Sequence, residues 1–336
     1  MQRVLIIAEA GVNHNGSLEL ALRLVDAAKA SGADAVKFQS FRADLLATPS
    51  AHKAAYQERV DRNSESQLEM LRRLQLDAES HRRIIEYCKE LGIGFLSSPF
   101  DAESADLLES MGVAMYKIPS GEITNIPFLE YLARKGKPLI LSTGMSTLGE
   151  VEEAIHTIVT AAPIPLKLLH CVTEYPAPYA AVNLRAMLTL KQAFGMPVGY
   201  SDHTSGIEIA IAASALGAEV IEKHFTLDRS LPGPDHAASL EPDELKQMVQ
   251  AIRNVESALG DGIKTPAACE LPNIAVARKS IVAALSLPKG HSISEHDLSI
   301  KRPGTGLAPK LLSSVIGRTL RVAVGKDELI NWSQLT

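Results

Sequence analysis

The chain has 336 residues, of which 46% are apolar and 4% aromatic, and its formal net charge is −5. That length suits one large domain plus a small one, with enough apolar side chains for a sizeable core. The mildly acidic balance gives no support for nucleic-acid or anionic-membrane binding, so an anionic substrate has to be drawn by local cations.

Short apolar, β-rich runs alternate with amphipathic helical patterns along most of the chain. The runs are Val4–Ala10, Ala35–Phe41, Gly94–Ser98, Met115–Pro119, Pro138–Thr143, Leu166–Val172, Val198–Asp202 and Val220–Phe225. Helical stretches such as LELALRLVDAAKASG and AESADLLESMG follow them, and Gly32, Gly92, Gly112, Gly136 and Gly217 mark helix ends. Eight β/α repeats predict a TIM (β/α)₈ barrel. An open doubly wound sheet is the alternative, but it normally carries a glycine fingerprint after the first strand, and no G-x-G-x-x-G or Walker A pattern occurs. VLIIAEAG at the start is too short for the core of a secretion signal, and no run approaches the roughly 20 apolar residues of a membrane span. Cys88, Cys171 and Cys269 are odd in number and far apart. They argue against a disulfide scaffold or zinc–thiolate site and for a reducing cytoplasm.

One stretch breaks the rhythm. Residues 42–76 are polar and charged, which predicts a long βα loop with helical parts on the active-site face. The barrel is expected to occupy residues 1–262, a Pro- and Gly-containing linker 263–279, and a small module with short β-like runs (IVAALSL, RTLRVAVG) 280–336.

Barrel strands are apolar where they cross the core, and their C-terminal ends face the active site. Here those ends are polar on every strand: Glu9; Lys37 and Gln39; Ser97 and Ser98; Lys117, Ser120 and Glu122; Ser142 and Thr143; Thr173, Glu174 and Tyr175; Ser201, Asp202 and His203; Glu222, Lys223 and His224. A single lysine at such an end is equally well read as part of a satisfied ion pair. Polar ends on eight strands together point to an enzyme site. Lys37 and Lys117 with Ser98, Ser120, Ser142 and Ser201 compose an anion pocket for phosphate or carboxylate. His203 and His224 end the last two strands and could meet at one metal ion. A structural or acid–base role is their other reading. Asp235 lies in a rigid loop, LPGPDHAAS, that either holds substrate hydroxyls or is a solvated turn.

Taken in order, AEAGVNHNG, VKFQSF, SSPFD, YKIPSGE, LSTGM, LHCVTEYPAP, GYSDHTSG, IEKHFTLD and PGPDHAASLEP resemble the sialic acid synthase family. That family includes the N-acetylneuraminate, legionaminate and pseudaminate synthases. The C-terminal module, with KRPGTG, resembles the antifreeze-like (SAF, β-clip) domain that completes those enzymes.

The resemblance implies an enzyme that condenses phosphoenolpyruvate with an N-acetylated amino sugar and water, giving a nine-carbon 2-keto acid and phosphate. N-acetylneuraminate from N-acetylmannosamine is the leading expectation. Legionaminate or pseudaminate from a 2,4-diacetamido-2,4,6-trideoxyhexose is the alternative. By resemblance, Lys37, Ser98, Lys117, Ser120, Ser142, Thr173 and Ser201 surround phosphoenolpyruvate, and His203 and His224 hold a divalent metal, Mn²⁺ before Mg²⁺ or Co²⁺. Glu9, Gln39, Glu122, Tyr175 and Asp235 match positions around the sugar or metal, with Glu9 or Glu122 handling protons. Arg302 matches an arginine that reaches the sugar from the partner subunit, which implies a domain-swapped homodimer. Two rival functions are a Schiff-base aldolase or lyase, which would use Lys117 as nucleophile and need no metal, and a carbohydrate- or ice-binding protein with an inert barrel.

Overall fold

The computed structural model describes residues 3–60 and 65–336. It divides into two compact units, residues 1–261 and 262–336.

The first unit is a parallel eight-stranded sheet curled into a nearly closed barrel. Its strands are β1 (Leu5–Gly11), β2 (Ala35–Ser40), β3 (Gly94–Pro99), β4 (Tyr116–Ile118), β5 (Leu139–Ser142), β6 (Leu166–His170), β7 (Val198–Asp202) and β8 (Val220–His224). Ladders run in the order β3-β2-β1-β8-β7-β6-β5-β4, and β3 and β4 lie side by side at the seam. Helices α1 (Leu18–Ala30), α2 (Ala43–Leu46), α3 (Ala55–Val60), α4 (Gln67–Leu74), α5 (Ala78–Leu91), α6 (Ala102–Ser110), α7 (Ile126–Arg134), α8 (Leu148–Ala161), α9 (Ala186–Phe194), α10 (Glu208–Ala215) and α11 (Pro242–Leu259) fill the connections. Among the described residues, no helix is long and apolar enough to cross a membrane.

Local chemistry starts these helices. Ser17, Asp77, Asp101 and Thr147 each accept a hydrogen bond from a backbone N–H of the first turn, which satisfies a donor the helix leaves open. The five glycines expected at helix ends all have positive φ, as at Gly92 (φ 65°) and Gly217 (φ 90°). The helices bury Leu24, Val25, Ile84, Leu108, Leu129, Ile158, Leu245 and Ile252 against the outer face of the barrel. Each such side chain contributes roughly 1.5–3 kcal/mol.

Because side chains alternate along a strand, the inner face takes every second residue. Ile7, Ala35, Leu96, Ile140, Leu169 and Val220 form a separate cluster that plugs the barrel, with Leu5 and Met115 packed against it. One step further along the same face the residue type changes to Glu9, Lys37, Ser98, Ser142, Cys171 and Glu222, with Lys117 following Met115. The plug is therefore the floor on which the polar layer sits.

The expected 42–76 excursion is where α2, α3 and α4 lie, and residues 61–64 of it fall outside the described residues. In the second unit, α12 (Leu271–Ala277) occupies part of the expected linker, with Pro272 in its first turn. Proline is tolerated there because the N–H it lacks would have no helical partner. β9 (Ser280–Ala283) pairs antiparallel with β10 (Leu298–Lys301), and α13 (Leu312–Val315) follows. The expected run RTLRVAVG forms only isolated bridges, such as Leu287–Val324 and Leu320–Leu335. Val322, which a continuous strand would place on the same face as the buried Leu320 and Val324, is exposed, so no regular buried face forms. Leu320 and Val324 join Ile281, Leu287, Ile293, Val315 and Ile330 in a small core.

Candidate active site

All the sequence-predicted site residues except Glu122 and Arg302 line one cavity of about 340 Å³ at the C-terminal ends of the strands. Arg302 belongs to the second unit, where its Nε donates to the Ala277 carbonyl at 3.0 Å. Glu122 sits in a short turn after β4 and accepts from Asn125 Nδ2 at 2.7 Å. Burial raises its pKa.

The polar layer is a charge network. Lys37 Nζ lies 2.8 Å from Glu9 Oε2 and 3.7 Å from Glu222 Oε2, and it donates to Ser98 Oγ at 3.2 Å. Lys117 Nζ faces Glu222 Oε1 at 3.4 Å, and Ser201 Oγ donates to the same oxygen at 2.9 Å. Gln39 Nε2 reaches Glu9 Oε1 at 3.4 Å. All four charged groups are nearly inaccessible to water. An unpaired charge in such a place costs several kcal/mol, so the pairing is what makes them tolerable.

Burial pushes the Glu9 carboxyl up against the opposing pull of Lys37. Burial would raise Glu222 as well, but the two ammoniums and the Ser201 hydroxyl bring it down to about 2. Lys37 is raised: burial works against its charge, and Glu222 and Glu9 more than compensate. Burial lowers Lys117, which has only Glu222 close by.

The sequence places Glu222 at its strand end without assigning it a role. The signal was available: it shares strand parity with Val220 and His224, whereas Lys223 does not. Lys223 instead points to the opposite face, where it pairs with Asp202 at 2.8 Å and donates to the Thr204 carbonyl at 2.5 Å. That pair is structural and lies behind the site.

Beside the lysines, Ser120 Oγ accepts from the Gly144 N–H at 2.9 Å and lies 3.1 Å from Cys171 Sγ. Gly144 is glycine because its surroundings leave no room. A Cβ there would stand 2.4 Å from Thr173 Oγ1 and 2.8 Å from Ser120 Oγ.

The imidazoles of His203 and His224 lie with ring centroids 5.5 Å apart, and Tyr175 covers His203 at 4.2 Å. His203 Nδ1 donates to the Val172 carbonyl at 2.6 Å, which fixes its tautomer and leaves Nε2 with a lone pair. His224 Nδ1 is buried and has no hydrogen-bond partner among the described residues, with Asp235 Oδ2 3.8 Å away. Burial holds His203 down at about 4 and His224 well below its usual value, so both rings are neutral, the form that ligates metal. Among the described residues no group of three or more His, Cys, Asp or Glu side chains is arranged to enclose an ion. Two neutral nitrogens, one of them orphaned, fit a divalent metal that keeps open positions.

The loop after β8 is stitched to the loop after β1. Asn13 Nδ2 donates to Phe225 O at 2.8 Å and to Ser239 Oγ at 3.0 Å, and Ser239 Oγ donates to Asp235 O at 2.7 Å. This chain sets the backbone of Asp235, whose carboxyl is raised by burial to about 6.

Comparison with known proteins matches this arrangement to one family. The SAF domain matches residues 278–336. N,N'-diacetyllegionaminic acid synthase of Campylobacter jejuni is 52% identical over 98% of this chain and 99% of that protein. The protein of the same name from Legionella pneumophila is 51% identical over 98% of this chain and 94% of its own length. The solved N-acetylneuraminic acid (sialic acid) synthetase of Leptospira borgpetersenii, in complex with citrate, is 38% identical. It aligns with a TM-score of 0.70 over 81% of this chain and 90% of that one. These two relatives bear the name of the sequence's alternative reading, legionaminate synthesis, and not of its leading one. The NeuB family matches residues 24–264, well over half of the chain, and the chain belongs to that family.

Proposed function

We propose that this protein joins phosphoenolpyruvate to a 2,4-diacetamido-2,4,6-trideoxyhexose, giving N,N'-diacetyllegionaminic acid and phosphate. The supporting observation is that a buried two-lysine, serine-rich anion floor and a pair of neutral imidazoles share one cavity. An anionic three-carbon donor fits the floor, and a carbonyl acceptor fits the imidazole side. The alternative acceptor is N-acetylmannosamine, as the sialic acid relative suggests.

In this reading Lys37 and Lys117 hold the phosphate and carboxylate of phosphoenolpyruvate, with Ser98, Ser120, Ser142 and Ser201 as hydroxyl donors. Phosphoenolpyruvate takes over part of the role Glu222 plays in the free protein, neutralising the two ammoniums. His203 and His224 would hold the divalent metal, Mn²⁺ in the first instance. When bound, the metal supplies Lewis-acid polarisation of the sugar aldehyde.

The phosphoenolpyruvate methylene carbon bonds to the aldehyde carbon, and the aldehyde oxygen takes up a proton. Water adds to C2 of the former phosphoenolpyruvate and loses a proton. The C2–O bond to phosphate then breaks while the C2 hydroxyl gives up its proton, leaving the keto group, and the lysines stabilise the departing phosphate. Glu9, in the cavity and raised by burial, is the better placed carboxylate for the proton transfers; Glu122 is not among the cavity residues. The proposal also includes a homodimer in which Arg302 of the partner subunit approaches the sugar.

The test is phosphate release from phosphoenolpyruvate with each acceptor, with Mn²⁺ and with chelator, and the product mass read by mass spectrometry. Metal-dependent release with the N,N'-diacetyllegionaminate mass is expected. Turnover only with N-acetylmannosamine would shift the acceptor, and pyruvate trapped on Lys117 by borohydride would replace the mechanism.

A further inference from the structure

The cavity has two unlike walls. Its floor is the polar layer at the strand ends, and its outer wall comes from the 42–76 excursion and the ends of β2 and β3. Phe41, Leu46, Met70, Leu71, Leu74 and Phe100 all line it. They form a small apolar cluster of their own, apart from the barrel core. Phe41 and Phe100 meet edge to face, with centroids 6.2 Å apart. Two polar side chains from the excursion line it as well: Gln57, whose Oε1 accepts from the Ala54 N–H at 2.9 Å, and Gln67. Gln67 is half-buried one turn before Leu71, and its amide makes no hydrogen bond among the described residues.

Phosphoenolpyruvate has no use for such a wall. It is small and anionic, and the groups that suit it lie on the floor. A hydroxyl-rich sugar is also a poor match, because each hydroxyl pressed against apolar carbon loses water without gaining a partner. We infer that this wall sets acceptor specificity: it packs against a deoxygenated C6 methyl and an acetamido methyl, and Gln67 provides the amide partner of one acetamido group. The inference rests on the condensation reading above and adds the chemical features of the sugar that are recognised. It assigns specificity to α4, an element outside the barrel. The helix places Gln67, Met70, Leu71 and Leu74 on one face through its i, i+3, i+4 and i+7 spacing.

The experiment uses the unmodified, metal-loaded chain and three acceptors: 2,4-diacetamido-2,4,6-trideoxymannose, N-acetylmannosamine, and N-acetylmannosamine lacking its 6-hydroxyl. Phosphate release gives kcat/KM for each. Removing the 6-hydroxyl is expected to raise kcat/KM by about 10- to 100-fold, the range in which an apolar pocket discriminates by one hydroxyl. Leu71→Asn is expected to erase most of that gain and leave the KM for phosphoenolpyruvate unchanged. Gln67→Ala is expected to raise the KM for the diacetamido sugar while keeping the 6-deoxy gain. Turnover of the diacetamido sugar without any 6-deoxy gain would overturn the role of the wall and leave the reaction intact, as would a gain that survives Leu71→Asn. Silence with all three acceptors would bring down the reaction reading and the wall's role with it. The acceptor series needs no variant, so the inference stays testable if Leu71→Asn fails to fold.

Discussion

Glu222 and Lys117 face each other across the barrel, 3.4 Å apart, from β8 and β4, which lie on opposite sides of the ring. Glu222 also lies 3.7 Å from Lys37. One carboxylate therefore serves two buried ammoniums, and phosphoenolpyruvate, with its own negative charges, is suited to compete for the same cations.

Glu222→Gln should weaken the free protein more than the liganded one. Removing one partner of a buried ion pair costs about 3–5 kcal/mol, because the other charge stays buried. Added phosphoenolpyruvate supplies the missing anion. Thermal unfolding with and without phosphoenolpyruvate measures this: the midpoint should fall in the variant, and the ligand should raise it by more than in the parent. Equal ligand-induced shifts in the two proteins would show that Glu222 is not the counter-charge.

Gly144→Ala should impair donor binding without unfolding the barrel. The added methyl must displace Thr173 and Ser120, with contacts at 2.4 and 2.8 Å. A misplacement of that size in a reacting site lowers kcat/KM for phosphoenolpyruvate by about 10- to 100-fold. Steady-state kinetics alongside far-ultraviolet circular dichroism would check it, and unchanged kinetics would mean that Ser120 and Thr173 do not touch the donor.

His203→Ala should remove Mn²⁺ binding, read by calorimetry on the protein without substrates, together with chelator-sensitive turnover. The fold should survive, since what remains is one unsatisfied carbonyl, Val172 O, at a cost of about 1–3 kcal/mol. Mn²⁺ binding of unaltered affinity and stoichiometry would sink the assignment of this imidazole.

The second unit offers a pH test. Asp297 accepts from His291 Nε2 at 2.9 Å and from Ser294 N and Oγ at 2.8 and 2.7 Å. The His291 bond first, then those from Ser294, hold its carboxyl down at about 2. A depressed carboxylate stabilises the fold at pH above its unfolded value near 4, and that contribution is lost as pH falls toward 2. Asp297→Asn should therefore cost about 1 kcal/mol at pH 7, as for other lost turn caps. The difference from the parent should shrink as pH falls through about 2 and vanish only below it. The single tryptophan, Trp332, lies in this unit, so its fluorescence during urea unfolding reports on it. A difference as large at pH 2 as at pH 7 would count against the carboxylate as its source.

Much of the molecule was legible in the chain. Eight apolar runs and the glycines that follow the helices are local signals, and the strands begin and end within a few residues of where they are expected. The site was legible for a related reason. Polar and charged residues at a strand end are too costly to appear by accident on eight strands, so the polar layer stands out against the apolar plug beneath it. Glu222 and Lys223 show where this stopped. Both were visible at one strand end, and only the parity counted from Val220 separates a cavity carboxylate from a lysine that faces the helices. Residues 42–76 show a second limit. Their polar composition hid Met70, Leu71 and Leu74, because a short amphipathic helix exposes more charge than it buries.

The sequence by itself determined the repeat, the barrel and the types of residue at its mouth, because strand period, helix capping and the cost of buried charge act over a few neighbouring residues. Tertiary structure decided which charges meet. Lys117 and Glu222 are far apart in the chain and on opposite sides of the ring, and Gln39 reaches Glu9 while Glu122 stays off the cavity. Those relationships depend on how the barrel closes and on the stagger of its strands, which no local pattern encodes. The apolar wall facing the anion floor likewise exists only once α4 has folded back over the strand ends.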